Sequence, residues 1–401
     1  MNHPIHISGM GIISALGHDA ASNADALLEE RTGISAITRL RTRHRELYPA
    51  AEVKLGHMEL GALAAPASLR GWTRTALLGL KAAKEAVADA GIDPRWPRTG
   101  LVSASTAGGM DRAENLYRQY FLDEVPDEAA QYVGTHDPGD HTERIAAELG
   151  ITGFITTIST ACSSSANAIM LGARLIRSGR LDAVIVGGSD ALSRFTVHGF
   201  HSLMILDREP CRPFDAARAG LNLGEAAAYV VLESEAHLSA RKGRSLARIA
   251  GFANTNDAFH VTASSPNGDG AYLAMQQALR SAGLSPGDIS YVNVHGTGTH
   301  NNDGSEGRAV MRLFGDALPP FSSTKTFTGH TLGASGAVEA VFSTMALQHG
   351  ACFANLRFQH AMPEAALTPV IRTLRGQPLR HVLSNSFGFG GNNTSLIMSV
   401  T

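Results

Sequence analysis

Cysteine is scarce in this 401-residue chain: there are three, Cys162, Cys211 and Cys352, far apart. Such spacing leaves no disulfide framework and no cysteine-based zinc cluster, and it suits a reducing, cytoplasmic setting. An excess of one charge is also lacking. With 34 basic and 36 acidic residues the formal net charge is -2, so neither nucleic acid nor an anionic membrane is expected as a general partner. No uncharged apolar run reaches the ~20 residues needed to span a bilayer. Met1 to Gly11 has no basic segment followed by an apolar core, so no signal peptide is expected. No Pro/Ser-rich linker divides the chain. What is present is 44% hydrophobic residues and 42 glycines, enough to bury a large core as two domains or one duplicated domain.

The spacing of apolar residues predicts strands over Ile5–Ile13, Leu101–Ser105, Gly153–Ile158, Ala183–Gly188 and Tyr229–Glu233. Helices are expected over Ala20–Glu30, Trp72–Ala90 and Ala166–Arg177, and over most of Asp111–Gly150. The segment Arg31–Gly71 reads as irregular. Its basic cluster, Arg39, Arg41, Arg43 and Arg45, fits a solvated loop, with charge steering of an acidic partner as the alternative. The chain also echoes itself. Lys84 to Pro94 and Gln277 to Pro286 each run helix, Ala-Gly, two residues, Pro, strand, Gly-rich turn. The strand–turn–helix at Cys162 matches the one from Phe321 through His330 to Leu347, and Gly9-Met10 matches the strand Ala247 to Phe252. These alternations predict an α/β fold of two similar halves, 1–244 and 245–401. Cys162, His295, His330 and the glycines near 388 would then fall at strand ends around one shared cleft.

Cys162 stands in Ile158-Ser159-Thr160-Ala161-Cys162-Ser163-Ser164-Ser165, between a strand and a helix. A thiol at a helix N-terminus meets unpaired N–H groups and the positive dipole end, and both favour thiolate. His295 lies in Val294-His295-Gly296-Thr297-Gly298-Thr299 and His330 follows Lys325-Thr326-Phe327-Thr328-Gly329. Metal binding is the alternative for two histidines. It is disfavoured by the lack of a local His-x-x-x-His or Cys-x-x-Cys pair and of any indicated carboxylate ligand. Two neutral imidazoles beside a thiol suit carbonyl chemistry, because each can donate an Nε2–H hydrogen bond to an oxygen that becomes negative.

Together, Thr160 to Ser164, His295 to Thr299, Lys325 to His330 with Leu332-Gly333-Ala334-Ser335-Gly336, and Asn385 to Gly391 resemble the β-ketoacyl-acyl-carrier-protein synthases. The nearest type is the condensing-enzyme II class with a Cys-His-His site. The resemblance covers essentially the whole chain. It implies a thiolase-like fold: two duplicated halves forming a five-layered α-β-α-β-α sandwich. It also implies a homodimer, or a heterodimer with a related subunit. Cys162 would take an acyl chain from acyl-carrier protein, and His295 and His330 would hold the enolate formed from a malonyl thioester. The N–H groups of Cys162 and Phe389 would form the oxyanion hole, and Lys325 would orient the site. Glu339, Asp303, Glu306, Thr297 and Thr299 would support it, with Phe387 and Phe389 gating entrance on a glycine-rich loop. Ala107 would lie at the floor of the acyl pocket. The resemblance calls for no metal and no bound cofactor, since phosphopantetheine arrives on the carrier protein.

One stretch departs from that family. Where many relatives read Pro-x-Gly-Asp after the residue matching Thr299, this chain reads His300-Asn301-Asn302-Asp303, which points toward a specialised polyene, polyketide or unusual fatty-acid pathway. A thiolase would need a second cysteine in Ser386–Asn393, and there is none. Plant-type polyketide synthases carry asparagine where His330 stands. A non-catalytic chain-length subunit would generally lack the cysteine.

Overall fold

The computed structural model describes residues 4–122 and 127–401. Five strands of the first half are β1 (Ile5–Ile13), β2 (Thr99–Ala104), β3 (Ile155–Ile158), β4 (Ala183–Asp190) and β5 (Ala226–Ser234). Five of the second are β6 (Ala247–Asn256), β7 (Tyr291–Asn293), β8 (Phe321–Ser322), β9 (His381–Gly388) and β10 (Asn392–Ser399). The first set is ordered β3-β2-β4-β5-β1 and the second β8-β7-β9-β10-β6, the same order twice. Pairing directions repeat as well: β2 is parallel to β3 and β4, as β7 is to β8 and β9. β5 and β10 are antiparallel to both their neighbours. The two sets join edge to edge through Ile7↔Ala247 and His6↔Arg248 of β1 and β6.

Helices complete the layers. The main ones are α1 (Arg74–Ala90), α2 (Met110–Phe121), α3 (Ser164–Arg177), α4 (Arg194–Ser202), α5 (Asp269–Ala282), α6 (His300–Phe314) and α7 (Ser335–His349). α1 covers β1 and β5 on one outer face, and α5 covers β6 and β10 on the other. α3 and α7 pack on each other and on strands of both halves, giving the α-β-α-β-α sandwich. Burial explains their composition. α7 is buried from Ser335 to Leu347 and α3 along most of its length, and a helix covered on every side cannot carry a charged stripe.

The echo in sequence has a steric counterpart. A Cβ on Gly9 would lie 2.4 Å from the Ala86 carbonyl oxygen and 2.7 Å from Ala90 Cβ. A Cβ on Gly251 would meet Ala278 and Ala282 at the same two distances. In each half a strand glycine lets the outer helix lie directly on the backbone. A close crossing also joins the central helices, where a Cβ on Gly336 would come within 2.6 Å of the Ala166 nitrogen.

The observed elements follow the expected ones to within a few residues, with one correction; within the expected helical stretch Asp111–Gly150, helices run over Met110–Phe121, Asp127–Ala130 and Pro138–Leu149, and residues 123–126 lie outside the described residues. Arg31–Gly71 is not wholly irregular. It holds a helix at His57–Ala64 and a short ribbon pairing Ile34–Ser35 with Ala50–Ala51. The helix buries Leu60 and Ala64, but it is two turns long with Gly61 inside it. Its stability comes from packing on α1 rather than from local pattern. Arg39, Arg41, Arg43 and Arg45 are exposed, while Thr42 and His44 between them turn inward.

Candidate active site

Two matching elbows build the site. Between β3 and α3 the chain places Ala161 at φ +51°, and between β8 and α7 it places Leu332 at φ +55°. Both are non-glycine residues in the left-handed region, each three residues ahead of its helix. Such a conformation costs energy and persists only where the surroundings enforce it. The first elbow presents Cys162 and the second His330. His295 arrives from the end of β7. The sulfur and one nitrogen of each imidazole all lie within 4.8 Å of one another.

The first elbow is held from below. Asn167 donates to Thr160 Oγ1 and to Asn392 Oδ1, both at 2.9 Å, and Ser163 donates to Asn392 at 2.7 Å. The start of β10 is thereby tied to the cysteine turn. Gly388 lies so close that a Cβ there would sit 3.1–3.3 Å from Thr160 O, Cys162 N and Ser163 N. Its lack of a side chain serves close approach to the nucleophile. Gly390 and Gly391, by contrast, adopt positive φ.

Hydrogen bonds fix the state of both imidazoles. His330 Nδ1 accepts from the Leu332 N–H at 3.1 Å and stands 3.1 Å from Ser335 Oγ. Its proton is therefore on Nε2. His295 Nδ1 faces the Lys325 ammonium at 3.2 Å, which leaves its Nε2 protonated too. Lys325 also donates to the His295 carbonyl at 2.7 Å and ion-pairs with Glu339 on α7. Glu339 accepts from Ser386 at 3.3 Å. Burial, and then the Lys325 charge, hold both imidazoles well below their usual pKa, so both are neutral. Burial raises Glu339, against the pull of Lys325.

The thiol departs from expectation. Burial pushes Cys162 up to about 11, despite the opposing effects of Lys325 and the N–H groups of Phe389 and Cys162 itself. The helix-terminus argument for a resting thiolate is corrected: desolvation outweighs the favourable dipoles. The same N–H groups of Phe389 and Cys162 bear on the sulfur, where an oxyanion on the attached carbon would also develop.

The supporting acids lie behind the histidine loop. Glu306 accepts from the His295 and Gly296 N–H groups, both at 2.8 Å, and burial raises it to about 7. Asp303 accepts from Phe214 N–H at 2.8 Å and Gly298 N–H at 3.2 Å. Thr297 and Thr299 pair hydroxyl to hydroxyl at 2.9 Å.

Two cavities meet at the sulfur. One, of about 310 Å³, opens past Thr297, Thr299, Asn301, Asn302 and Ser264. The other, of about 430 Å³, is lined by Ala107, Ala161, Phe195, Gly199, Leu332 and others. Cys162, Phe200, Leu203 and Phe389 border both. Phe200 and Phe389 stack at 5.9 Å between ring centres, and the Phe387 ring lies 5.8 Å from that of His295.

Sequence reading missed Asp190 and Phe200. Asp190, at the end of β4, accepts from the Thr106, Ala107 and Gly333 N–H groups and from the Ser105 and Thr106 hydroxyls. It locks the Ala107 turn to the second elbow. A carboxylate closing an apolar strand was the available signal. Phe200 had none beyond its place in a helix.

Known proteins decide the family. The β-ketoacyl synthase N-terminal domain model matches residues 2–238, and the C-terminal domain model matches residues 246–359. The chain belongs to the β-ketoacyl synthase family. As a β-ketoacyl synthase it is an acyltransferase. It is 33% identical to the 3-oxoacyl-(acyl-carrier-protein) synthase 2 of Staphylococcus aureus (strain COL), over 99% of this chain and 98% of the relative. The solved ishigamide ketosynthase/chain length factor superposes with a TM-score of 0.94 at 30% identity, covering 100% of both chains. A ketosynthase in complex with its chain length factor from Xenorhabdus doucetiae gives a TM-score of 0.84 at 33% identity, covering 100% of this chain and 98% of that one. Among the described residues of this β-ketoacyl synthase no helix is long and apolar enough to cross a membrane.

Proposed function

We propose that this β-ketoacyl synthase condenses an acyl chain, held on Cys162, with a malonyl unit on acyl-carrier protein. The half 1–244 supplies the nucleophile and the half 245–401 the two histidines. In the first step the Cys162 sulfur attacks the incoming thioester, the new S–C bond replaces the old one, and the thiol proton leaves with the carrier's pantetheine sulfur. Malonyl thioester then enters and loses carbon dioxide. Its enolate oxygen accepts from Nε2–H of His295 and of His330. The enolate carbon attacks the Cys162 thioester, the resulting oxyanion rests on the N–H groups of Cys162 and Phe389, and Cys162 leaves and regains a proton. Preorganised donors of this kind are the largest single contribution in many carbonyl reactions.

The observation that carries this reading is the pair of neutral imidazoles with Nε2 protons beside the sulfur. It also speaks against a metal centre, since Nδ1 of each ring faces a donor and Nε2 then carries the proton rather than a lone pair for a cation. The two cavities fit the two parts of the substrate. Threonines and asparagines suit an amide-rich pantetheine arm, and the alanine- and phenylalanine-lined side suits an acyl chain. Phe389 borders both cavities and gates passage between them, while Phe387, which lines the first cavity beside His295, gates its entrance. Lys325, Glu339, Glu306 and Asp303 act as positioning residues. With acyl- and malonyl-carrier protein supplied together, carbon dioxide and a β-ketoacyl product two carbons longer than the starter form in equal amounts. Carbon dioxide without product would contradict the condensation.

The working unit is a dimer. A second copy of this chain covers the apolar face where Phe195, Leu122 and Val133 are exposed; the ketosynthase/chain length factor structures among its neighbours make a related subunit the other occupant. A monomer in sedimentation at working concentration would contradict it.

Ala107 is 8% exposed and lines the inner cavity together with Cys162. Ala107→Phe fills the floor and shortens the products. A chain that no longer fits incurs an overpacking cost of about 1–3 kcal/mol. The check is the product-length distribution of both proteins with matched carrier substrates, and an unchanged distribution would place the floor elsewhere.

A further inference from the structure

The stretch that departs from the family, His300 to Asn302, opens α6 and borders the cavity of about 310 Å³. Thr299 caps this helix, its Oγ1 accepting the Asn302 N–H at 3.3 Å. From there the three side chains diverge. His300 is exposed. Asn301 clasps another wall of the same cavity: Oδ1 accepts the Ser264 N–H at 2.8 Å and Nδ2 donates to the Ser264 carbonyl at 3.4 Å. Both ends of its amide are thereby used. Asn302 turns inward and is only 9% exposed. Its Nδ2 donates to Asp303 Oδ1 at 3.1 Å and lies 3.5 Å from Glu306 Oε2. These are the acids behind the histidine loop, and they fix the amide one way round, because a reversed amide would set oxygen against carboxylate oxygen. Asn302 Oδ1 therefore points away from the acids, and no donor among the described residues reaches it. A buried acceptor in a cavity wall calls for a donor.

We propose that Asn302 is a specificity-determining residue for the pantetheine arm: its Oδ1 accepts the N–H of one of the arm's amides and so sets how far the thioester reaches towards Cys162. The proposal rests on the ketosynthase reading above. An amide in a desolvated channel needs a donor for its carbonyl and an acceptor for its N–H. The Thr297 and Thr299 hydroxyls, paired with each other at 2.9 Å, have a proton to turn towards a carbonyl. Asn302 Oδ1, with its lone pairs free, supplies the acceptor. Glycine, which many relatives carry at this place, has no such atom. A neutral hydrogen bond of this kind is worth about threefold to tenfold in affinity.

The test is acylation of Cys162 by acyl-pantetheine and by its analogues in which one amide N–H or the other is replaced by oxygen, giving an ester. The kcat/KM of each is measured for wild type, Asn302→Gly and Asn302→Ala. In wild type one of the replacements lowers kcat/KM by about threefold to tenfold. In both variants that same replacement has no effect, while the response to the other replacement is unchanged. The wild-type comparison involves no substitution, so it reads the bond even if a variant is unstable. A wild type indifferent to both replacements would overturn the proposal, and so would variants that keep the wild-type discrimination. Loss of discrimination at both amides together would also overturn it, since that is the mark of a loosened channel rather than of one lost acceptor. Failure of wild type to be acylated by any pantetheine or carrier-protein thioester would instead overturn the ketosynthase reading.

Discussion

Cys162→Ala leaves no acyl-enzyme and no condensation, while the protein remains folded. Removing a covalent nucleophile typically lowers turnover by about 10⁶-fold. Little compensates here: Cys211 and Cys352 are buried, and Cys211 Sγ faces the Lys325 carbonyl rather than either cavity. Serine at either of those positions keeps condensation. Cys162→Gln is the informative companion. Its amide stands where the thioester carbonyl would be, and both imidazoles remain, so malonyl decarboxylation continues without condensation. Condensation assays and carbon dioxide release, run side by side on the three variants, separate the two activities. Normal turnover by Cys162→Ala would remove the nucleophile from the account.

His295→Ala and His330→Ala each lower malonyl decarboxylation by about 10²–10³-fold, the usual effect of losing one donor to a developing oxyanion. Acylation of Cys162 survives in both to a measurable extent, because the oxyanion of that step rests on backbone N–H groups. The two variants differ in their side effects. His295 shares Lys325 with Glu339, so its loss also leaves a buried ammonium short of a partner. The His330 ring is hydrogen-bonded to Leu332 and Ser335, and its loss is more local. Chelators leave turnover unchanged in every case. Stoichiometric zinc whose removal abolishes activity would contradict the hydrogen-bonding role.

The site was legible in sequence because its parts are local signals. Cys162, His295 and His330 each sit in a short turn of small residues at the end of a strand, and two such turns match because the halves share one strand order. Glu306 and Asp303 were legible only through the family resemblance, which places acidic supports after the residue matching Thr299. Other features depend on contacts between distant segments. Asp190 ties Thr106 to Gly333, and no local pattern announces partners so far away. The Cys162 thiol was misjudged for the same reason: the helix terminus is visible in sequence, but the burial that outweighs it is a property of the packed molecule. The His57–Ala64 helix was missed because tertiary packing, not periodicity, holds it.

The most direct measurement is the mass of the Cys162 peptide after incubation with acyl-carrier protein alone. The account predicts a gain of the acyl mass on Cys162 and on neither Cys211 nor Cys352, discharged when malonyl-carrier protein is added. An unmodified Cys162 with β-ketoacyl product still formed would contradict it.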